Sequence, residues 1–124
     1  MNTTNIKSYR DLLVWQMAMD LAVLCYALTR GFPKDELFGM TSQIRRATAS
    51  AAANIAEGHG RENSGSFVQF LRIAQGSLKE AETHLLLSER VELAKPAEIR
   101  PALERCDEIG RMLRALIRAI QDKQ

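Results

Sequence analysis

The sequence predicts an all-α protein, a single-domain, up-down-up-down antiparallel four-helix bundle. Three observations predict it. Apolar residues recur in alternating steps of four and three through the second half of the chain, the spacing of helices that face a core. The three prolines and seven glycines mostly sit where such runs end. No strand-like alternation competes with the helical pattern. At 124 residues the chain fits one domain, and a chain of this size buries roughly two-thirds of its unfolded surface.

Residues 1–10 read as an N-terminal arm and residues 11–122 as the bundle. The first helix is predicted from Asp11 to Arg30, where Gly31-Phe32-Pro33 ends it: glycine closes a helix and proline cannot continue one. Asp35 is the expected cap of the second helix, which runs to Glu57 with Gly58 as its C-terminal stop. After the linker His59 to Asn63, Asn63 or Ser64 caps a third helix that reaches Arg90. It sets Phe67, Leu71, Ala74, Leu78, Ala81 and Leu85 on one face. Lys95-Pro96 breaks the chain, and Pro101 is placed in the first turn of the fourth helix, where its missing N–H costs little. That helix aligns Ile99, Leu103, Cys106, Ile109, Leu113, Leu116 and Ile120, and ends near Gln121. Short loops between long helices make sequential neighbours antiparallel.

The first helix carries two apolar stripes. Val14, Ala18, Leu21, Cys25 and Leu28 form one, and Leu12, Trp15, Met19, Ala22 and Tyr26 form the other, well round the helix. A monomeric bundle needs one stripe per helix. The second is read as an interface between copies of the chain, against the alternative of a tightly wrapped central helix.

The second helix carries a narrow polar stripe: Gln43, Arg46, Ser50, Asn54 and Glu57. An apolar stripe of Leu37, Met40, Ile44, Ala51 and Ile55 runs beside it. Counted from the Gly31–Lys34 loop, Arg46 is level with Asp20 and Ser50 with Gln16, the main polar interruptions of the first helix. The expectation is an interhelical Asp20–Arg46 ion pair, with Gln16 near Ser50, fixing the register. The competing reading is an anion site around Arg45, Arg46 and Arg61. Arg45, on another face, suits either role.

Enzymatic patterns fit poorly. Di-iron bundles need Glu-x-x-His on two helices. Here Glu80 and His84 have the wrong spacing, and Glu57-Gly58-His59 stands at a helix end, in a chain with only two histidines. Neither histidine has an arginine upstream at the distance used by helical ribonucleases, although Lys79 precedes His84. Gly58-His59-Gly60-Arg61 lacks the spacing and the preceding strand of a phosphate loop. No catalytic residue, cofactor or metal is therefore expected.

The net charge of +2 is not the excess that announces a nucleic-acid binder. Arg111, Arg114 and Arg118 nevertheless form a ridge at helical spacing. Such a ridge is commonly a solvated face, but it can also track a phosphate backbone. Cys25 and Cys106 fall at apolar positions and read as buried free thiols. Met1-Asn2-Thr3-Thr4 shows no signal peptide, and no apolar run is long enough to span a membrane, so a cytoplasmic location is expected.

Several motifs carry a resemblance. They are Asp11-Leu12-Leu13-Val14-Trp15-Gln16, Leu28 to Pro33, Gln43 to Ala47, Asn54 to Arg61, Phe70 to Ala74 and Gly76 to Thr83. Together they resemble the four-helix bundle family whose founding members are encoded in intervening sequences of bacterial large-subunit ribosomal RNA. The resemblance implies a small helical bundle, often a pentameric ring, with no catalytic residues to carry over. A related branch includes the accessory protein of diversity-generating retroelements, which binds nucleic acid and a reverse transcriptase. Family members often have Ser-Ile-Pro-Ala-Asn where this chain has Ser50-Ala51-Ala52-Ala53-Asn54, so the proline kink is absent here. The expected function is a homo-oligomeric binding module for structured RNA, DNA or a nucleic-acid-handling protein. Arg45, Arg61, Arg111, Arg114 and Arg118 are its candidate contacts, and a purely structural self-assembling protein is the alternative.

Overall fold

A computed structural model describes residues 6–123 of the chain. Four helices, α1 (Leu13–Thr29), α2 (Met40–Gly60), α3 (Ser64–Arg90) and α4 (Pro96–Asp122), form the predicted bundle. Contacts run α1–α2, α2–α3, α3–α4 and α4–α1, with α2–α3 the most extensive. The helices therefore stand at the corners of a square, with α2 diagonal to α4.

The core follows the predicted periodicity. Val14, Ala18, Leu21 and Cys25 of α1 meet Ile44, Ala51 and Ile55 of α2, and Leu71, Ala74, Leu78, Ala81 and Leu85 of α3. Ile99, Cys106, Ile109 and Leu113 of α4 complete it, joined by Ala102 and Ile117. Thr48 is buried as well, with its hydroxyl donating to the Ile44 carbonyl at 3.0 Å. Cys25 and Cys106 are buried free thiols, and burial pushes the pKa of both up to about 12.

The ends of the elements differ from expectation in ways that have physical causes. Asp11 does not begin α1. It closes a 3₁₀ turn, Tyr9–Asp11, and its carboxylate accepts from the N–H groups of Lys7 (2.8 Å) and Ser8 (3.2 Å). These bonds hold its pKa below the usual carboxylate value. The described part of the arm is thereby docked: Ile6 and Tyr9 pack on the core, and Gln16 Nε2 donates to the Arg10 carbonyl at 2.8 Å. Residues 1–5 of the predicted arm lie outside the described residues.

α2 starts at Met40, later than an Asp35 cap would have it, because Lys34–Glu36 forms a separate 3₁₀ turn. The Glu36 carboxylate caps α2 by accepting from the Met40 N–H at 3.0 Å. Gly39 leaves room for it, since an added Cβ would stand 2.8 Å from that carboxylate oxygen. Leu37 accordingly leaves the apolar stripe and is exposed. α2 then runs without interruption through Ser50–Asn54, the segment where the resemblance would place a proline.

Gly58 is not the helix stop. α2 continues to Gly60, and Gly58 is buried against α3, where an added Cβ would lie 2.6 Å from Phe70 Cβ and 3.1 Å from Phe67 Cδ1. The turns after α2 and α3 are made instead by Glu62 and Glu92, which adopt left-handed φ values of 58° and 65°. Asn63 caps α3 as predicted, its Oδ1 accepting from the Ser66 N–H at 2.9 Å. Pro96 is the first residue of α4, so Pro101 falls in the second turn, on the exposed side. There the Ala97 carbonyl, deprived of its helical donor, can turn to water.

This packing makes opposite demands on two glycines. Gly58→Ala should destabilise the fold by about 1–3 kcal/mol, partly offset by the roughly 0.5–1 kcal/mol that alanine gains in a helix. Gly110→Ala, whose Cβ meets only Arg114 at an ordinary 3.7 Å, should be neutral or stabilising. Urea unfolding of the two variants checks the opposite signs. At pH 8 both thiols should resist Ellman's reagent in the native protein and react once it is unfolded, since at that pH buried thiols of such high pKa supply almost no thiolate.

Candidate assembly and nucleic-acid surfaces

The polar stripe of α2 turns toward α3, not α1. Ser50 and the buried Ser77 of α3 share a hydrogen bond of 2.9 Å. Asn54 Nδ2 donates to the Ser50 carbonyl at 2.8 Å and to its hydroxyl at 3.1 Å. Gln43, Arg46 and Glu57 of the same stripe are exposed. Asp20 meets Arg105 of α4 at 3.9 Å across an exposed gap, and Gln16 is held by the arm. The expected Asp20–Arg46 and Gln16–Ser50 contacts are therefore not formed. Counting from a loop does not give the direction in which a residue points, and here it misjudges height as well, because residues 30–39, with the Lys34–Glu36 3₁₀ turn among them, separate α1 from α2.

Arg45, one residue earlier, makes the α1–α2 contact expected of Arg46. Its Nε donates to Thr29 Oγ1 at 2.9 Å, its Nη2 reaches the Tyr26 carbonyl at 3.5 Å, and its guanidinium lies 4.5 Å from the Tyr26 ring centre. Thr29 Oγ1 in turn donates to the Cys25 carbonyl at 2.7 Å. The cation thus sits at the C-terminal end of α1, where the helix dipole favours it.

With this orientation the two stripes of α1 separate. One fills the core. The other, with Trp15, Met19, Ala22 and Tyr26, walls an open groove of about 550 Å³ whose α2 side is lined by Ala49, Ala53 and Ala56. Val23 on the same face is 67% exposed. A second hollow of about 400 Å³ continues along α2 to Leu37 and to Phe38, which is 92% exposed. The sequence alone does not single out Phe38, because Leu37-Phe38 reads equally well as the start of an amphipathic helix.

The candidate nucleic-acid arginines do not form one cluster. Arg61 lies 3.8 Å from Glu57 and 5.0 Å from the Phe70 ring centre. Arg111 pairs with Asp107 at 3.2 Å. Arg114 and Arg118 are exposed and have no ion pair among the described residues. From Ile109 to Gln121, α4 holds these three arginines and no acid. A small cleft between α3 and α4 brings Gln75, Lys79 and Glu82 beside Asp107, Gly110 and Arg114. One turn before Gln75, the exposed Arg72 stands level with the upper arginines of α4. Sequence reasoning missed Arg72, which the register of the α3–α4 hairpin would have revealed.

The residue types that often carry chemistry occupy structural positions. His59 stacks edge-on to Phe67 at 5.7 Å, and His84 lies 3.5 Å from Glu80. Among the described residues, no three His, Cys, Asp or Glu side chains gather as a metal site would require, and no helix is long and apolar enough to cross a membrane.

Residues 10–115 match the 23S rRNA-intervening sequence protein family. The chain belongs to this family. A similar solved structure is a protein of unknown function from the S23 ribosomal protein family of Bacteroides thetaiotaomicron. It superposes on this intervening-sequence family member with a TM-score of 0.76 at 26% identity, covering 85% of this chain and 98% of the other. No curated protein matches the sequence.

The geometry predicts which polar contacts matter. Asp20→Ala breaks an exposed pair and should change stability by no more than about 1 kcal/mol. Ser77→Ala removes a partly buried hydrogen bond and should cost about 0.5–1.5 kcal/mol. Chemical denaturation of both variants checks the ranking, which is the reverse of that expected for a register-fixing Asp20–Arg46 pair.

Proposed function

We propose that this family member is a non-enzymatic, cytoplasmic, homo-oligomeric bundle that binds structured RNA through arginines on α4. The observation that carries the reading is the placement of two surfaces. The apolar groove lies along α1 and α2, and the arginine row lies on α4, diagonal to α2. A subunit can be covered on the first surface while the second stays open. The groove is the kind of contiguous apolar patch that soluble chains cover by association. Closure into a ring, pentameric as the family resemblance implies, would repeat Arg111, Arg114 and Arg118 around one axis. A chain of small net charge would then present a continuous basic band.

The family description names 23S rRNA intervening sequences, which supports RNA over DNA as ligand. No aromatic residue interleaves with the α4 arginines, so binding should depend on phosphates and show little sequence preference. The Arg111–Asp107 pair favours a second reading, a self-assembling scaffold without a nucleic-acid ligand.

Fluorescence anisotropy with a structured RNA across a salt series separates the two. The proposal expects affinity to fall steeply with salt. Arg111→Glu/Arg114→Glu should weaken binding at unchanged oligomer mass. It should also flatten the slope of log K against log salt by about one for each phosphate no longer neutralised. Absence of binding at low salt, or binding indifferent to salt, would leave the scaffold reading in its place.

A further inference from the structure

We infer that the α1–α2 groove receives the outward face of α3 from a second copy of the chain, so that neighbouring subunits meet through two different surfaces. The inference rests on the self-association proposed above and assigns its interface.

α3 has an apolar stripe of its own that stays about half uncovered within the chain: Ile73 is 46%, Leu87 43% and Val91 55% exposed. Ile73 and Glu80 lie four residues before and three after Ser77, which is bonded to α2. The stripe therefore occupies the α2–α3 side of the bundle, next to the side that holds the groove. Identical groove-to-groove pairing would leave this stripe bare. A groove-to-stripe contact covers both surfaces, and because they lie on adjacent sides, successive subunits turn about an axis instead of extending in a line.

Charge and height agree with this arrangement. The charged residues lining the groove and its lower hollow are Arg30, Arg45 and Arg46, with no acid among them. The α3 stripe carries Glu80 between Ile73 and Leu87, with no lysine or arginine but with His84, whose ring lies 3.5 Å from the Glu80 carboxylate. Within one subunit the Ser50–Ser77 bond fixes the relative heights of α2 and α3. Stepping equally in opposite directions from that pair brings Arg46 level with Ala81, Ala53 with Ala74, and Phe38 with Glu89. Rotation about an axis parallel to the bundle, with no shift along it, preserves these heights. Arg46 then faces the level of Glu80 in the neighbour, the small Ala53 faces Ile73, and Phe38 faces the segment from Leu87 to Val91. The absence of any required shift is the condition for a ring that closes.

The test is a charge exchange read by light scattering coupled to size exclusion. Arg46→Glu and Glu80→Arg, both at exposed positions, should each lower the oligomer mass, and the double variant should restore it. Disulfide trapping gives an independent reading, since the native Cys25 and Cys106 are buried. Ala53→Cys and Ile73→Cys chains should cross-link to one another when mixed, and neither should cross-link to itself. If the wild-type protein is a monomer at micromolar concentrations, both the self-association and this interface fail. If it is an oligomer but the single charge reversals leave its mass unchanged, or Ala53→Cys pairs efficiently with itself, self-association stands and the groove-to-stripe contact is wrong.

Discussion

Gly58 has no side chain, and at that point α2 and α3 approach so closely that even a Cβ would collide with Phe70. The rest of the bundle depends on this approach. A helix drawn so near its neighbour must present small residues along the seam, and α2 does so with Ala47, Ser50, Ala51 and Gly58. The Ser50–Ser77 hydrogen bond lies in the same seam and satisfies the two hydroxyls that close packing brings there. Once α2 is held against α3 by this side, its other residues have no freedom of direction. Arg45 faces the end of α1, and Ala49, Ala53 and Ala56 face outward beside α1's second stripe.

Close packing on one side thus produces an open apolar groove on the next. An alanine face exposes little apolar area by itself. Beside Trp15, Met19 and Tyr26 it becomes the floor of a concavity that a helix can enter, because short side chains allow close backbone approach. The arginines follow a different rule. Arg45 and Arg61 are held by carbonyls, hydroxyls, rings or acids, and each such contact lowers their availability to a ligand. On α4, Arg111 is held in the same way by Asp107, whereas Arg114 and Arg118 have no ion pair among the described residues, so a phosphate partner would meet less competition there. This division of labour between apolar and basic surfaces supports a binding module that assembles.

The fold class and the core residues were legible because both follow from local spacing. Leu71, Ala74, Leu78, Ala81 and Leu85 share a face at any tertiary arrangement, and prolines and glycines limit where helices can lie. The fold class, the core of α3 and α4, the Asn63 cap and the buried state of both cysteines follow from such short-range regularities. The doubled stripe of α1 was legible too, as an excess of apolar surface. Its division into a core face and a groove face required the neighbouring helix.

Direction and distance between helices were decided by tertiary structure. The sequence by itself determined that Arg45 and Arg46 lie toward the Gly31–Lys34 end of the second helix. It did not determine that Arg45, one position and about 100° from Arg46, would be the residue facing α1. Gly58 looks like a helix stop when only its neighbours in sequence are considered, and like a contact point only when Phe70 is brought against it. Residue spacing along one chain segment is periodic and short-ranged, whereas the rotation of each helix is set by the best joint packing of all four. The groove, the seam and the exposed α3 stripe are products of that joint packing.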